Sequence, residues 1–572
     1  MLTPAKRLRD HWFFGPVFQS KSIYFQVILA SVLINLFALA SSLYIMTVYD
    51  RVIPNNAIES LFALTTIVIV VILFDFVMKI VRGNFVDRAG LKVDRRVSTH
   101  LFDKISRHDT TLGRNATGAL ASTVRDFDLL KEVIGSATFT VFADLPFIAL
   151  FLVVLWLIGG PVAAVPAMIV PLVIIFGLIL QPIIRRMTEF AMMQGKSKQS
   201  VMVEMISALE TVKTTQGNSM LRNRWLNSVL NQGQTQAKTK LTSQLATHFA
   251  QFGQQVSQIG IVVYGVFLIS SGDLTMGQLI ACVILSGRTM APLGQITGLL
   301  GRMNQAISAY RGLNEVLAGE TDEEKRADFV KRPDLKGHIE FKNVTFSYED
   351  QPEPTLHDIN LEIHEGEKVA ILGRIGSGKT SLLRLICGLH PPDKGVVLID
   401  NADIRQIRPE DVRKNVGTVL QNPVLFSGTI RDNLLMGKPD ATDDELLYAA
   451  RMSGADSFLG MLPGGFDFPL SEKGQELSSG MRQTIAIARA LISRPHILLM
   501  DEPTASMDNA TEAALVQKLQ EATKDTTAIF VTHRGAMLKM ADKIVLMEKG
   551  RIVMAGPRDD VLAQLQGAKN DG

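Results

Sequence analysis

The chain has 572 residues, which is enough for two or three domains. Its 59 basic and 56 acidic residues nearly cancel, so the composition gives no indication of nucleic acid as a partner. Two cysteines, Cys282 and Cys387, lie far apart and outside any CxxC pattern, which argues against a disulfide framework or a cysteine-based zinc site.

Apolar residues are distributed unevenly, and their distribution divides the chain into four parts. The first 310 residues hold most of the long apolar runs, whereas the last part has the mixed pattern of a soluble α/β domain. A charged stretch between them has the composition of a solvated linker. We therefore predict an N-terminal cytoplasmic segment, an α-helical membrane domain, a linker and an α/β domain at 1–22, 23–312, 313–336 and 337–572.

Six apolar stretches are long enough to cross a bilayer, whose core of about 30 Å needs roughly 20 helical residues. They lie near 23–48, 59–81, 138–158, 162–184, 250–271 and 277–300. Lys and Arg precede the first stretch and follow the second, fourth and sixth, which predicts that both termini are cytoplasmic. Ala38–Ala40 resembles a signal-peptide cleavage site, but the apolar run continues to Met46, which favours a retained helix.

The two cytoplasmic connections, residues 82–137 and 185–249, are long and carry apolar residues at helical spacing. We therefore expect helices with long cytoplasmic extensions, whose turns lie within reach of the α/β domain.

A stripe of polar side chains runs along the fifth predicted span. Its members, spaced by four and three residues on one helical face, are Gln244, His248, Gln251, Gln255 and Gln258. Polar groups at membrane depth are costly against lipid, so the stripe favours a wet, cargo-lining cavity. Hydrogen bonding between helices, or a register that leaves the lower residues in the cytosol, is the alternative. Arg288, four residues before the helix-bending Pro292 in the sixth span, permits the same interpretation.

Asp75 lies in the second span, four residues before Lys79. An i,i+4 ion pair near the cytoplasmic end explains this carboxylate most simply. A role in gating or cargo binding is the alternative, because charge inside a membrane is commonly functional.

Residues 373–380 read GRIGSGKT, the Gly-x4-Gly-Lys-Ser/Thr pattern of a phosphate-binding P-loop. A predicted strand at 368–372 precedes it and a predicted helix follows it, which is the context that the motif requires. Glycines let backbone N–H groups approach phosphates, Lys379 neutralises the β- and γ-phosphates, and the Thr380 hydroxyl binds Mg²⁺. The predicted ATP-binding residues of this segment are Gly373, Arg374, Ile375, Gly376, Ser377, Gly378, Lys379, Thr380 and Ser381.

A second apolar strand, residues 497–500, ends in Asp501 and Glu502. Asp501 is suited to hold Mg²⁺ through water, and Glu502 to polarise the attacking water as a general base. Apolar strands that end in acids are common, but after a P-loop the pattern indicates nucleotide hydrolysis. Fused to membrane helices, it predicts an ATPase that moves something across or within a bilayer.

Further segments resemble motifs of the ATP-binding cassette (ABC) superfamily, and the resemblance covers nearly the whole chain. Residues 477–483 (LSSGMRQ) resemble the signature loop, and Asp508 matches the D-loop. The resemblance implies that Gln421 binds Mg²⁺ and couples to the membrane helices, that His533 is the switch histidine at the γ-phosphate, and that Tyr348 stacks on adenine.

The signature loop departs from the usual Leu-Ser-Gly-Gly-Gln at Ser479 and Met481, and it retains Ser478 and Gly480. The resemblance implies that this loop closes over ATP bound to another subunit, so one chain cannot complete a site. We expect a homodimer with twelve spans and two composite sites, with a heterodimer of paralogues as the alternative. Hydrolysis is expected because Glu502 and the switch histidine are both present.

Residues 45–54 (IMTVYDRVIP) and 373–378 (GRIGSG) resemble bacterial type I secretion exporters that serve RTX adhesins and toxins. This resemblance implies an inner-membrane location, a periplasmic adaptor, a TolC-like outer-membrane channel and an unfolded protein cargo with a C-terminal secretion signal. Many relatives carry an N-terminal peptidase or peptidase-like domain. About 22 residues precede the first span, so we expect that domain to be absent from this chain, either by nature or by truncation.

Two other functions stay open from the sequence. An exporter of lipid or small amphipathic molecules would share every nucleotide motif, and a largely apolar cavity would favour it. A non-pumping ATP-gated channel or regulatory cassette would share the fold, although intact Glu502 and His533 argue against it.

Overall fold

The computed structural model describes residues 11–106, 122–135, 137–318, 329–348, 351 and 353–570. The chain forms two compact units, Met1–Gly319 and Glu320–Gly572. Helices alone form the described part of the first unit, and helices and strands together form that of the second.

The helices of the first unit are long because its apolar runs continue into stretches with helical periodicity. In chain order they are α1 Phe14–Gln19, α2 Lys21–Thr47, α3 Ile58–Ser106, α4 Phe127–Gly135, α5 Ala137–Asp144, α6 Phe147–Gly159, α7 Ala164–Ser207, α8 Leu209–Thr214, α9 Asn218–Ser270 and α10 Met276–Ala318. At 1.5 Å per residue, the 49 residues of α3 extend about 74 Å, more than twice the thickness of a bilayer core. The longest helices therefore continue well beyond the membrane, as predicted.

Five stretches of the described residues are long and apolar enough to cross a membrane. They are Lys21–Val52, Ile58–Ser106, Thr140–Ser207, Asn218–Ser270 and Met276–Glu315. The third stretch has 68 residues and accounts for two of the six predicted spans. It is broken at Leu145–Pro146 and again at the 3₁₀ turn Gly160–Ala163, where Gly160 has a φ of +52°. The chain is a multi-pass membrane protein, and the number of six crossings stays a prediction.

The chain turns back between α6 and α7. Ile148 of α6 and Val173 of α7 belong to one buried cluster with Met290 of α10. On a single continuous helix, residues this far apart would be separated by about 38 Å. The turn at Gly160–Ala163 therefore brings the two helices against the same neighbour, as a hairpin at this point requires.

Small side chains line the buried face of α9. These buried residues include Ala246, Ala250, Gly253, Ser257 and Gly265. A Cβ added at Gly253 would lie 2.9 Å from Cγ2 of Val173, and one added at Gly265 would lie 2.3 Å from Cδ1 of Leu279. Small residues thus allow the helices to approach closely, which is how helices associate in lipid, where hydrophobic burial provides little driving force.

The predicted linker, residues 313–336, has buried residues of the neighbouring units at both of its ends. Helix α10 extends into it, and Leu313 packs in a buried cluster with Val97 of α3. At the other end, Leu335 is buried in the core of the second unit. Because charged residues dominate the composition of this stretch, the sequence does not indicate that the apolar residues at its ends belong to the two neighbouring cores. Residues 319–328 lie outside the described part of the chain.

Two main sheets form the second unit. The strands are β1 Ile339–Phe346, β2 Leu356–Ile363, β3 Lys368–Gly373, β4 Lys394–Ile399, β5 Ala402–Asp403, β6 Val416–Val419, β7 Gly428–Thr429, β8 Pro469–Leu470, β9 Ile497–Asp501, β10 Thr527–Val531, β11 Lys543–Glu548 and β12 Arg551–Pro557. The antiparallel sheet has the order β2-β1-β4-β5, and the larger sheet has the order β12-β11-β3-β10-β9-β6. The larger sheet is parallel except for the pair β11–β12, and β7 and β8 form a separate ribbon.

Helices flank these strands, which gives the α/β domain that the sequence predicts. They are α11 Lys379–Ile386, α12 Pro409–Asn415, α13 Ile430–Leu435, α14 Asp443–Ser453, α15 Asp456–Leu459, α16 Ser479–Leu491, α17 Asn509–Ala522, α18 Gly535–Leu538 and α19 Arg558–Asn570.

Four neighbouring parallel strands bring the motifs to one edge of the larger sheet. In the order β3-β10-β9-β6, each strand is followed directly by one predicted site segment. Val531 at the end of β10 pairs with Ile371 of β3 on one side and with Asp501 of β9 on the other. Because the carboxyl ends of parallel strands meet at one edge, residues far apart in sequence are gathered there.

Candidate functional site

The loop between β3 and α11 has a backbone that glycine permits. Gly376 and Gly378 have φ angles of +82° and +96°, in the left-handed region. A Cβ added at Gly373 would lie 2.3 Å from the backbone oxygen of Met547 on β11, so no side chain fits there. Helix α11 begins at Lys379, directly after the loop, and its first N–H groups favour a bound anion.

The side chains of this loop separate into exposed and buried ones. Arg374 and Ile375 are exposed at its tip. Ser377 is buried, and its Oγ has no hydrogen-bond partner in the described structure. A buried hydroxyl without a partner costs free energy unless a ligand supplies one. The loop therefore fits a phosphate group.

Lys379 is held beneath the loop. The side chain is buried, and its Nζ donates to the backbone oxygens of Gly373 and Arg374 at 2.8 and 2.9 Å. Burial lowers the pKa of this lysine, whereas the nearby charges of Glu502 and Asp501 raise it. The two carboxylates thus favour the charged ammonium that a phosphate needs.

Thr380 and Asp501 are joined directly. Thr380 Oγ1 donates to Oδ2 of Asp501 at 2.7 Å. Asp501 is buried at the end of β9, and this burial raises the pKa of its carboxyl group, while the hydrogen bond from Thr380 lowers it. A hydroxyl and a carboxylate are the oxygen ligands that Mg²⁺ prefers, so this pair fits the predicted metal site.

Glu502 has a strained backbone and a carboxylate with two neighbours. Its φ is +49°, a conformation that costs a non-glycine residue about 1–3 kcal/mol and that clusters at functional sites. Its N–H donates to the backbone oxygen of Val531 on β10 at 2.9 Å. Its carboxylate accepts from Nε2 of Gln421 at 3.3 Å and lies 3.7 Å from Nε2 of His533. The structure thus brings together the predicted base and the two residues predicted to act beside it.

Tyr348 has a different environment from the predicted one. Its ring is only 9% exposed and packs edge-on against Phe346 and His390, with centroid distances of 4.8 and 5.5 Å. Its hydroxyl lies 3.0 Å from Oγ of Ser381 in α11. Stacking on adenine needs an open ring face, so this role stays a prediction that requires the ring to be uncovered.

The predicted signature and D-loop residues line a cavity that is separate from the P-loop. Ser478 caps α16 by accepting from the N–H of Met481 at 3.2 Å, and Asp508 caps α17 by accepting from the N–H of Thr511 at 2.8 Å. The cavity, of about 510 Å³, is lined among others by Ser478, Ser479, Gly480, Met481 and Asp508. None of residues 373–381 lines it, so the P-loop and the signature loop form separate sites within one chain.

Arg534 is a neighbour of the site that the sequence motifs do not identify. Its guanidinium donates to the backbone oxygen of Ala505 at 3.2 Å and to the buried carboxylate of Glu512 at 3.4 Å. These contacts tie the loop that carries His533 to the segment after β9. No sequence spacing links these residues, because the sheet brings them together.

The predicted glutamine stripe occupies a face of its own on α9. Gln251 and Gln255 are exposed, and Gln258 is half-buried. The buried face beside it carries the small residues that contact other helices. A third face carries exposed apolar side chains, which include Phe252, Val256, Ile259 and Val263. The apolar face is the one suited to lipid, so the glutamines lie away from it.

Arg288 belongs to a similar polar face on α10. Arg288 is exposed, and exposed Gln295 and Arg302 follow it at intervals of seven residues, which places all three on one side of the helix. A Cβ added at the preceding Gly287 would lie 3.5 Å from Nε2 of Gln258, so this glutamine reaches α10 one residue before Arg288. The spacing of seven residues in the sequence could have identified Gln295 and Arg302 as members of this face.

Three helices of the membrane unit are joined by a polar network that the sequence does not indicate. Nη1 of Arg82 in α3 lies 3.0 and 3.2 Å from the two carboxylate oxygens of Asp144, at the end of α5, and 3.0 Å from Oγ of Ser31 in α2. Nδ2 of Asn35 donates to the same carboxylate at 3.0 Å. The partners are far apart in sequence, so only the packing of the helices reveals the network.

The carboxylate of Asp75 in α3 pairs with its near neighbour. Nζ of Lys79 lies 2.6 Å from Oδ2 of Asp75, which is the predicted i,i+4 ion pair. The ion pair satisfies Oδ2 of this acid, whereas Oδ1 is buried and has no hydrogen-bond partner among the described residues.

Two protein-family models match the chain. The model described as ABC transporter transmembrane region matches residues 24–293, and the model described as ABC transporter matches residues 356–505. The first match lies in the helical unit and the second includes the P-loop, the signature loop and the end of β9.

Curated proteins are similar over nearly the whole chain. The Toxin RTX-I translocation ATP-binding protein of Actinobacillus pleuropneumoniae is 30% identical over 557 residues, and a leukotoxin translocation ATP-binding protein of Mannheimia haemolytica is 29% identical over 557 residues. Each alignment covers 97% of this chain and 78% of the relative.

A solved structure of a bacterial Atm1-family ABC exporter with ATP bound is similar in fold. Its TM-score is 0.83 at 21% sequence identity, and the alignment covers 94% of this chain and 96% of that chain. The likeness therefore extends over both units, and it shows the type I exporter fold that combines a helical membrane domain with a nucleotide-binding domain.

Proposed function

Because the chain belongs to the ABC transporter superfamily and is an ATPase coupled to transport, we propose that it exports an unfolded protein of the RTX adhesin or toxin class. The observation that carries this proposal is the alignment over 97% of the chain with a toxin translocation protein. The exposed polar side chains of α9 and α10 support it, because an unfolded polypeptide presents a polar backbone along its whole length.

The nucleotide site would work through residues that the sheet edge gathers. Mg²⁺, when bound with ATP, neutralises charge on the β- and γ-phosphates. Thr380, Gln421 and Asp501 would hold this ion, and Lys379 with the loop N–H groups would hold the phosphates. Glu502 would orient the attacking water and accept its proton.

The remaining residues of the site act beside this acid. His533, 3.7 Å from the carboxylate of Glu502, would donate to the γ-phosphate. The strained backbone of Glu502 directs the carboxylate between His533 and Gln421 and thereby preorganises the base.

A second copy of the chain would complete each nucleotide site. Ser478 and the residues after it line a cavity separate from the P-loop, so the signature loop has no ATP of its own chain to contact. A homodimer places this loop over ATP bound to the partner subunit, and a heterodimer with a paralogue is the alternative. ATP binding between the two copies would then close the dimer and move the membrane helices.

The membrane unit would sit in the bacterial inner membrane with both termini in the cytoplasm, in contact with membrane lipids through its apolar faces. Cargo would pass along the polar faces of α9 and α10, a route lined by Gln251, Gln255, Gln258 and Arg288. A periplasmic adaptor and a TolC-like outer-membrane channel would continue the route to the medium.

Secretion by cells that carry Lys379→Ala tests the proposal. The substituted P-loop cannot neutralise phosphate charge, so we expect at least one protein to disappear from the culture medium. Lys539→Ala, an exposed lysine of the same unit, is the matched control and should leave secretion unchanged. Co-purification after cross-linking should recover an adaptor and an outer-membrane channel with the wild-type chain.

The outcomes distinguish the candidate functions. If no secreted protein is lost and no partners are recovered, protein secretion is refuted while the ATPase assignment remains. ATP-dependent movement of labelled lipid in reconstituted vesicles, abolished by Lys379→Ala, would then support the lipid exporter. Transport that continues at the wild-type rate in a hydrolysis-deficient variant would instead support a non-pumping channel.

A further inference from the structure

Three side chains with metal-ligating atoms meet on the antiparallel sheet, away from the nucleotide site. His338 directly precedes β1, Glu362 lies in β2, and His364 directly follows β2. One ligand atom from each of the three lies within 4.8 Å of those of the other two. Neither the nucleotide motifs nor the family matches assign a role to this cluster.

The strand register explains why these residues meet. Ile339 pairs with Ile363 across the two antiparallel strands, which places His338 opposite His364. Glu362 lies two residues before His364 and therefore projects from the same face of β2. Ile339 and Ile363 are fully buried, so the alternate residues face outward. The two imidazole rings stack with centroids 5.8 Å apart and an interplanar angle of 10°.

The backbone on both sides of the cluster is held by other residues. The carboxylate of Asp400 accepts from the N–H groups of Lys336, Gly337 and His338 at 2.6, 3.1 and 3.0 Å. On the other strand, the N–H of His364 donates to Glu367 at 2.9 Å. The scaffold is therefore fixed, and only the side-chain rotations remain to be adjusted.

The distances in the cluster are close to those that a metal ion needs. Nε2 of His338 lies 3.0 Å from Oε1 of Glu362, and Nδ1 of His364 lies 3.8 Å from the same oxygen. Tetrahedral bonds of about 2.0–2.1 Å place ligand atoms about 3.3 Å apart. The side chains of Glu362 and His364 are 53% and 67% exposed, so they can rotate to bring the three ligand atoms to this spacing.

Carboxylates around the cluster favour a bound cation, and one nearby lysine disfavours it. The carboxylate of Glu362 supplies one negative charge within the cluster itself. Glu340 pairs with Glu362 across the strands and adds negative charge, although it also contacts Lys342. The positive charge of Lys543 disfavours a bound cation, although its Nζ donates to the backbone oxygen of Glu362 at 2.6 Å.

We propose that His338, Glu362 and His364 bind a divalent transition-metal ion of the zinc class, with a fourth position open to solvent. Two imidazoles and one carboxylate are a ligand set that suits zinc, whereas Mg²⁺ prefers oxygen ligands alone. The site is therefore chemically distinct from the one at Thr380 and Asp501. A bound ion would cross-link the start of β1 to the end of β2, and the proposal does not depend on the cargo of the transporter.

Zinc titration of the full-length chain tests this site. The protein is purified in detergent without a polyhistidine tag and without nucleotide, in excess Mg²⁺ to occupy oxygen sites. Equilibrium dialysis with ZnCl₂ should then show one saturable zinc ion per chain. His338→Ala, His364→Ala and Glu362→Gln should each weaken this binding at least about tenfold. His357→Ala, which removes another histidine of β2, is the matched control and should bind as the wild type does.

Two results would overturn the proposal: no saturable zinc binding by the wild type, or equal affinity in the wild type and the three ligand variants. Burial raises the pKa of the half-buried Cys387 thiol to about 11, and Cys282 is buried between helices, so competition of both thiols for zinc is weakened. ATP hydrolysis by each variant in zinc-free buffer, at the wild-type rate, verifies that the variants are folded.

Discussion

Helix α9 of the membrane unit and strands β9 and β10 of the nucleotide-binding unit bury side chains of different size. In the nucleotide-binding unit, strands β9 and β10 are buried along their whole length, and large residues such as Phe530 and Leu499 fill the two clusters on either side of the sheet. In the membrane unit, the buried face of α9 is lined mainly by Ala, Gly and Ser, while large residues such as Phe74 of α3 are more than half exposed. The difference follows from the surroundings, because lipid is a good solvent for apolar side chains and water is not.

The comparison also concerns function. In the nucleotide-binding unit, chemistry depends on short motifs whose backbone geometry is local, as in the loop from Gly373 to Gly378. In the membrane unit, the proposed cargo route depends on which face of a long helix is polar, as for Gln255. Substitutions should therefore have large catalytic effects in one unit and small transport effects in the other.

The largest effect is expected at the proposed general base. Glu502→Gln removes the proton acceptor and should lower the turnover number for ATP about 10²–10⁴-fold, because general base catalysis contributes that much. ATP binding should persist, since the P-loop is intact. Steady-state ATPase assays and nucleotide-binding measurements on purified protein check both statements. Glu548→Gln, an exposed acid of the same unit, is the control, and an equal loss in it would refute the assignment.

A pair of leucine truncations examines the difference in burial directly. Leu499→Ala removes a fully buried side chain in β9 and should lower stability by about 2–5 kcal/mol. Leu73→Ala removes a side chain that is 61% exposed on α3 and should have a much smaller effect, because no cavity forms. Thermal unfolding in detergent, followed by intrinsic fluorescence, measures the loss of stability in both variants. Equal shifts would show that α3 buries this face against protein rather than lipid.

A smaller loss of stability is expected from the polar network of the membrane unit. Arg82→Gln breaks a partly buried charged hydrogen bond to Asp144 and should destabilise the unit by about 1.5–3 kcal/mol. Arg224→Gln breaks an ion pair with Glu204 whose two partners are both 50% exposed, and it should cost at most about 1 kcal/mol. Unfolding of both variants in lipid nanodiscs is the measurement. The interpretation fails if the two variants unfold at the same temperature.

The smallest effect is expected along the proposed cargo route. Gln255→Leu removes a polar contact to cargo and should reduce the secretion rate about 2- to 10-fold, the equivalent of one hydrogen bond of about 0.5–1.5 kcal/mol. ATP hydrolysis in the absence of cargo should not change. Val256→Leu, on the neighbouring apolar face, should leave both rates unchanged. If only the apolar-face variant reduced secretion, the assignment of the two faces would have to be exchanged.

Most of the nucleotide site follows from sequence, because its parts are local. A strand, a glycine loop and a helix in that order specify the positions of Lys379 and Thr380 without reference to any distant residue. The strand before Asp501 and its acidic end are equally local and are confirmed. Leu313 and Leu335, at the ends of the predicted linker, pack into cores that composition alone cannot locate.

The sequence by itself determined the division into a membrane unit and an ATPase unit, the phosphate-binding loop and the presence of long apolar helices, since these depend on runs and spacings of neighbouring residues. The tertiary structure alone decided that Tyr348 is covered by Phe346 and His390, that Arg82 meets Asp144, and that two histidines and Glu362 converge on one face. Each of these contacts joins residues on separate elements, and the free energy of packing those elements, rather than any local preference, selects them.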